Sequence, residues 1–199
     1  AYNEMIKEIN NQVTTKPDKA YGPLTEEQKA EMSDKSIENW EKKAKQGLLY
    51  NDSTMRELSM SIQTVMTELM NSGVDYNDLK EMGITISDDY LDGGTITFDE
   101  AKFKSAMTSD PEKVSNVFAG GGTVKKGLAS IVEDTLTPYA TKYASRNGNS
   151  YGRLIEEAGS EKIPLSVMNN QIYNQLKEMQ KGVDTLKERL QKEQDRYIS

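Results

Sequence analysis

Apolar residues in the final third of the chain recur at alternating spacings of three and four: Leu176, Met179, Val183, Leu186, Leu190 and Tyr197, with Glu193 the interruption. Lys177, Glu178, Lys181, Asp184, Lys187, Glu188, Arg189, Lys192 and Asp195 fill the places between them. So narrow a stripe predicts a helix that buries its apolar line against another helix, and not within a core of its own. Pro164 breaks the chain upstream and Ser166 is the expected cap. A helix over 166–199 would be about 50 Å long at ~1.5 Å per residue.

Upstream, wider stripes predict shorter helices. Tyr2, Ile6, Ile9 and Val13 mark a first helix that ends before Pro17. Tyr21-Gly22-Pro23 reads as a turn, and Thr25 with Gln28 as a capping box. Ser33 or Ser36 then caps a polar helix bearing Ile37, Trp40 and Ala44 and ending at Gly47. A longer helix starts at Asp52 or Ser53, carries Met55, Leu58, Ile62, Val65, Met66 and Leu69, and stops at Asn71-Ser72-Gly73.

The period changes to two at Ile84-Thr85-Ile86 and again at Thr95-Ile96-Thr97-Phe98, around Asp92-Gly93-Gly94, which predicts a β-hairpin near 84–98. Asp99 and the Asp110-Pro111 pair start two further helices. Gly120-Gly121-Gly122 reads as a flexible joint. Val124, Leu128, Ile131, Leu136, Tyr139 and Tyr143 form another helical stripe, with Pro138 a possible kink. A polar loop at 147–150 and a short helical turn over 153–158 complete the pattern.

Composition fits helices sharing narrow interfaces: 35% hydrophobic and 29% charged residues. The net charge of −7 and a pI near 4.9 argue against nucleic acid as a partner. Absence of cysteine removes disulfides and thiolate chemistry, and absence of histidine removes the commonest general base and metal ligand. No apolar run reaches the ~18 residues of a membrane span. Asp88, Asp92 and Asp99, with Gly93, match part of a calcium-loop template, but Tyr90 and Thr95 break it. A hairpin loop followed by an Asp cap explains the same residues. The triple glycine lacks the Gly-Lys-Ser/Thr ending of a phosphate loop, and Asn51-Asp52-Ser53 reads as a helix cap in preference to a glycosylation site. No catalytic residue, metal site or cofactor is expected. Trp40, the single tryptophan, is the candidate helix-packing anchor.

Four segments then carry a family likeness. The run Pro23-Leu24-Thr25-Glu26-Glu27-Gln28-Lys29, through Trp40-Glu41-Lys42-Lys43-Ala44-Lys45 to Gly47-Leu48-Leu49-Tyr50-Asn51-Asp52-Ser53-Thr54, resembles the flagellar filament-capping family, also called flagellar hook-associated protein 2. Gly83-Ile84-Thr85 with Asp92-Gly93-Gly94 and Phe98-Asp99-Glu100 resembles its next segment, and Asp110-Pro111-Glu112-Lys113-Val114 through Phe118 the one after. The heptads ending Asp195-Arg196-Tyr197 resemble its closing helix.

The resemblance implies a chain exported unfolded through the flagellar secretion channel and assembled as a homo-oligomeric ring at the growing tip, outside the cell. It implies flagellin, hook–filament junction proteins and an export chaperone as partners. It also implies that the family's N-terminal helices and outer domains precede Ala1, and that the family's chain continues past Ser199. The fold class expected is mainly α: a helical, leg-like domain over 1–165 with the β-hairpin, then a coiled-coil helix over 166–199. The function expected is structural: a filament-cap subunit promoting flagellin assembly. The alternative is a generic helical coiled-coil protein of an export apparatus or adhesin.

Overall fold

A computed structural model describes residues 2–87, 93–142 and 151–198. The chain is mainly α with one two-stranded antiparallel sheet among the described residues. It forms two compact units, Ala1–Thr135 and Leu136–Ser199. The boundary at 165/166 anticipated from sequence isolates the terminal helix, whereas the chain's own contacts divide it earlier.

The first unit holds α1 (Tyr2–Thr14), α2 (Glu26–Ala30), α3 (Asp34–Ala44), α4 (Ser53–Asn71), α5 (Tyr76–Glu81), β1 (Ile84–Ile86), β2 (Ile96–Phe98), α6 (Glu100–Ser109) and α7 (Pro111–Ala119). It also holds the start of α8 (Leu128–Ala140), in which Pro138 is accommodated.

The amphipathic stripes decide what is buried. α4 turns Leu58, Ile62, Val65, Met66 and Leu69 inward and packs along α1, whose Ile6, Ile9 and Val13 are buried in turn. Ser59 Oγ donates to Asn10 Oδ1 at 2.6 Å, giving this contact one satisfied polar pair. The core continues through Leu79, Met82, Ile84, Val114, Val117 and Ile131. Each large apolar side chain so buried contributes about 1.5–3 kcal/mol before conformational entropy is subtracted.

Local chemistry sets the helix ends. Thr25 and Gln28 form the capping box of α2. Ser33, rather than Ser36, caps α3, and Asp52, rather than Ser53, caps α4. Asp99 caps α6, and Asp110 caps α7 ahead of Pro111. α5 has no counterpart in the sequence reading. Asp75 caps it, and only Leu79 of its residues is buried, so its signal is a single apolar position in a polar stretch.

The hairpin pairs Ile84 with Phe98, Thr85 with Thr97 and Ile86 with Ile96, one residue shorter on the second strand than expected. Ser87 N donates to Thr95 O and Asp99 N to Gly83 O, so the alternate residues of β2 direct their backbone groups away from β1. There Asn3 of α1 takes the place of a neighbouring strand. Its Nδ2 donates to Ile96 O at 2.6 Å, and its Oδ1 accepts from Ile96 N at 2.9 Å.

Two expectations are corrected. The triple glycine is a closed turn and not an open joint: Gly121 and Val124 exchange backbone hydrogen bonds at 2.9 Å, with positive φ at Gly120, Gly121 and Gly122. Because Val124 belongs to this turn, the helix with Leu128 and Ile131 starts at Leu128. Tyr143 and the 147–150 loop lie outside the described residues, as do Asp88, Tyr90 and Asp92 of the calcium-loop match. Asp99, the described aspartate of that match, uses its carboxylate to cap the α6 backbone.

Candidate functional site

The second unit builds a short base for one long helix. α9 (Arg153–Ala158) and α10 (Pro164–Val167) precede α11 (Gln171–Ile198), and α9 packs against both. Ile155 and Tyr139 are buried here, and the Arg153 guanidinium lies 5.8 Å from the Tyr139 ring centre.

The start of α11 differs from the expectation. Ser166 is not its cap. The Ser166 hydroxyl is buried in the turn before α10, donating to Ile163 O at 2.7 Å and accepting from Ser160 N at 2.9 Å. Asn170 does the capping: Oδ1 accepts from Tyr173 N at 2.8 Å, while Nδ2 donates to Ser166 O at 2.7 Å and Val167 O at 3.0 Å. One amide thus begins α11 and fastens it to α10. An Asn ahead of an apolar period was the available signal, masked by the more familiar Pro-x-Ser start at 164–166.

α11 has 28 residues and is about 42 Å long at ~1.5 Å per residue. It buries none of them. Leu176, Met179, Val183, Leu186, Leu190 and Tyr197 are all exposed, from 44% at Val183 to 81% at Tyr197. Ile172, half exposed, extends the same line one step toward the base. The structure thus brings every predicted seam residue onto one uncovered stripe, interrupted at Glu193.

Several charges elsewhere on α11 are engaged within the helix. Lys181 Nζ donates to Glu178 Oε1 at 2.6 Å and holds that carboxyl below its ordinary range. Gln180 and Gln191 donate to Asp184 and Asp195 at 2.9 Å each, and Arg196 pairs with Glu193 at 2.9 Å.

Trp40 sits elsewhere, half-buried in the first unit. Its Nε1 donates to Gly22 O at 2.8 Å, and its ring meets Tyr21 edge-on at 4.8 Å between centroids. Lys43 completes the cluster, with Nζ 4.5 Å from the Tyr21 ring centre and 2.9 Å from its hydroxyl, a bond that raises the lysine pKa. Sequence placed Trp40 at a helix–helix contact; its hydrogen bond ties α3 to the 21–23 turn. α2 and α3 bury no residue, so this arm is held by such rim contacts. Gly47 lets the arm return to the body: its φ is +75°, and a Cβ there would lie 2.4 Å from Pro17 N.

Among the described residues no group of three or more carboxylates is placed to hold a metal, and no helix is long and apolar enough to cross a membrane. What the surface offers is a long helix with one uncovered apolar face on a small base.

Comparison with known proteins agrees. The family model described as flagellar hook-associated protein 2 C-terminus matches residues 1–199, and the chain belongs to that family. It is 29% identical over 207 aligned positions to flagellar hook-associated protein 2 of Halalkalibacterium halodurans, covering 98% of this chain and 38% of that protein. It is 30% identical over 142 positions to B-type flagellar hook-associated protein 2 of Pseudomonas aeruginosa, covering 70% of this chain and 23% of that one. The chain therefore spans well under half the length of these relatives. No solved structure matches it significantly. Nothing in these matches supports the generic export-apparatus or adhesin alternative.

Proposed function

We propose that the chain is the C-terminal share of a flagellar filament-cap subunit, which promotes flagellin assembly at the growing tip without covalent chemistry. The observation that carries this reading is the uncovered seam of α11 on a chain matched along its whole length by the hook-associated protein 2 family. A seam of large apolar residues left in water on an otherwise ordered rod has its stabilising partner outside the rod.

In this reading residues 1–165 form the leg-like domain that touches neighbouring subunits and filament ends, with Trp40 anchoring the α2–α3 arm. Residues 166–199 anchor the subunit toward the filament axis by pairing α11 with another helix. The parent protein forms a homo-oligomeric ring. Flagellin and the hook–filament junction proteins are its neighbours, an export chaperone accompanies it, and its place is the flagellar tip outside the cell, reached through the secretion channel.

The test is a strain lacking the parent gene, complemented with the wild-type gene or with Leu186→Asp. Filaments are counted by electron microscopy and flagellin is measured in the medium. The expected result is short or missing filaments with leaked flagellin, restored by the wild-type gene and not by the seam variant. Normal filaments without the gene would overturn the cap reading. Rescue by Leu186→Asp would overturn the role given to the seam.

A further inference from the structure

The α2–α3 arm buries no residue of its two helices, yet it folds around an apolar pocket of about 300 Å³. Pro23, Leu24, Trp40, Ala44 and Leu48 supply the apolar lining. The Trp40 Nε1–H is spent on Gly22 O, so the indole offers the pocket no unpaired polar atom. Leu48 is 72% exposed and its neighbour Leu49 39%. An open apolar hollow beside a tryptophan suits one bulky apolar side chain brought by a partner.

Charge narrows the choice of partner. Lys29, Glu41 and Lys45 line the same pocket. The Glu41 carboxylate serves both lysines, at 3.2 Å from Lys29 Nζ and 3.9 Å from Lys45 Nζ. One carboxylate between two ammonium groups leaves the lining with a positive charge in excess, on a chain whose net charge is −7. Glu26 also reaches Lys29, at 3.7 Å, but its side chain is 89% exposed and lies outside the lining. Lys42, on the last turn of α3, adds a cation with no ion-pair partner among the described residues. A cationic rim around an apolar hollow selects an apolar anchor with carboxylates beside it.

We propose that this pocket is a docking site for an acidic segment of another protein, which sets one large apolar side chain against Trp40 and Leu48 and carboxylates beside Lys29 and Lys45. The site belongs to the arm alone and is independent of the α11 seam. A second copy of the first unit is a poorer source of such a segment. Its exposed large apolar residues with an acid within three positions are Leu49, Met60, Tyr76, Phe98 and Met107. The acids concerned are already engaged. Asp52, Asp75, Asp99 and Asp110 cap helices, Asp78 and Glu100 pair with Lys113 and Lys104, and Glu57 has a partner as well. Turning one of them toward a neighbour's lysines would cost an interaction it already makes.

The test uses the 199-residue chain and three short peptides free of tryptophan. One carries a central Phe between glutamates, one the same Phe between lysines, and one a Ser between glutamates. Trp40 is the single tryptophan of the chain, so its emission reads the pocket directly. At low salt the Phe peptide with Glu flanks should shift that emission saturably and bind about tenfold more tightly than the one with Lys flanks, and the margin should shrink at high salt. The Ser peptide should give no saturable shift. Leu48→Ser should weaken binding about tenfold, and Lys45→Glu should remove the preference for Glu flanks. Both side chains are 72% exposed, so the melting curve should not move.

Equal binding of the two Phe peptides would overturn the charge rule and the acidic partner with it. No shift with any peptide would overturn the docking site. A shift that Leu48→Ser leaves unchanged would put the binding elsewhere and overturn it too. Self-association in sedimentation velocity that Leu48→Ser abolishes would make a second copy the occupant and overturn the proposal. None of these outcomes touches the filament counts that test the cap reading.

Discussion

α4 and α11 are both long amphipathic helices, and they end in opposite environments. α4 buries Leu58, Ile62, Val65, Met66 and Leu69 inside the first unit, along with Thr54 and Ser59. α11, with 28 residues against 19, buries nothing. The difference lies in the width of the stripe. α4 repeats apolar residues at adjacent places, Val65 beside Met66, so its face is broad enough to pack along α1 and also to join the core cluster that holds Ile84, Val114 and Val117. α11 keeps a single line with charges close on both sides, a shape that only another helix covers well. Amphipathicity alone thus does not say where a helix goes; the breadth of the apolar face does.

That contrast predicts its largest effect at the two stripes themselves. Leu69→Ala, at a fully buried position, should lower stability by about 2–5 kcal/mol in urea melts, whereas Leu190→Ala in the same chain should leave the melt within about 0.5 kcal/mol. A comparable loss at Leu190 would mean that α11 is already covered in solution.

Next in size is the return of the α2–α3 arm. Gly47→Ala meets both the positive φ and the Pro17 backbone, so the loss should exceed the ~1–2 kcal/mol of the left-handed conformation alone. Hydrogen exchange should place that loss in residues 14–51.

A smaller gain is expected on the terminal helix. Gly182 lies inside α11 with open space where a Cβ would stand. Gly182→Ala should stabilise the helix by ~1 kcal/mol, read as slower amide exchange along 176–190, and leave the first unit unchanged. No change in exchange would show that a neighbour already holds this stretch.

The smallest effect is alkaline and confined to the first unit. Burial raises the Tyr2 phenol above its ordinary value near 10, and the 2.6 Å bond to Asp78 raises Lys113 above 10.5. A raised folded-state pKa contributes stability that is complete below the unfolded value and is lost as pH climbs through the folded one. The first unit should therefore melt at lower temperature above about pH 10, and Tyr2→Phe should flatten part of that slope.

Much of this was legible beforehand. Thr25 with Gln28, Ser33, Asp52, Asp99 and Asp110-Pro111 announced helix starts, because a cap is chemistry within one turn of the chain. The period of two at 84–86 and 96–98 announced the hairpin, and the a/d period announced the seam. The likeness spread along the chain pointed to the family. α5 was missed because one buried leucine makes no period. The closed glycine turn was misread because glycine serves a tight turn and a loose joint equally well.

The sequence by itself determined the local elements, the breadth of each apolar face and the lack of cysteine or histidine chemistry, since each depends on residues a few positions apart. Tertiary structure alone decided that Asn3 completes the edge of β2 and that Ser166 is consumed in its own turn, leaving Asn170 to start α11. It alone left the seam bare. Those outcomes turn on which polar groups meet across the fold. A side-chain amide or hydroxyl can satisfy many backbone groups, and packing selects the one within reach.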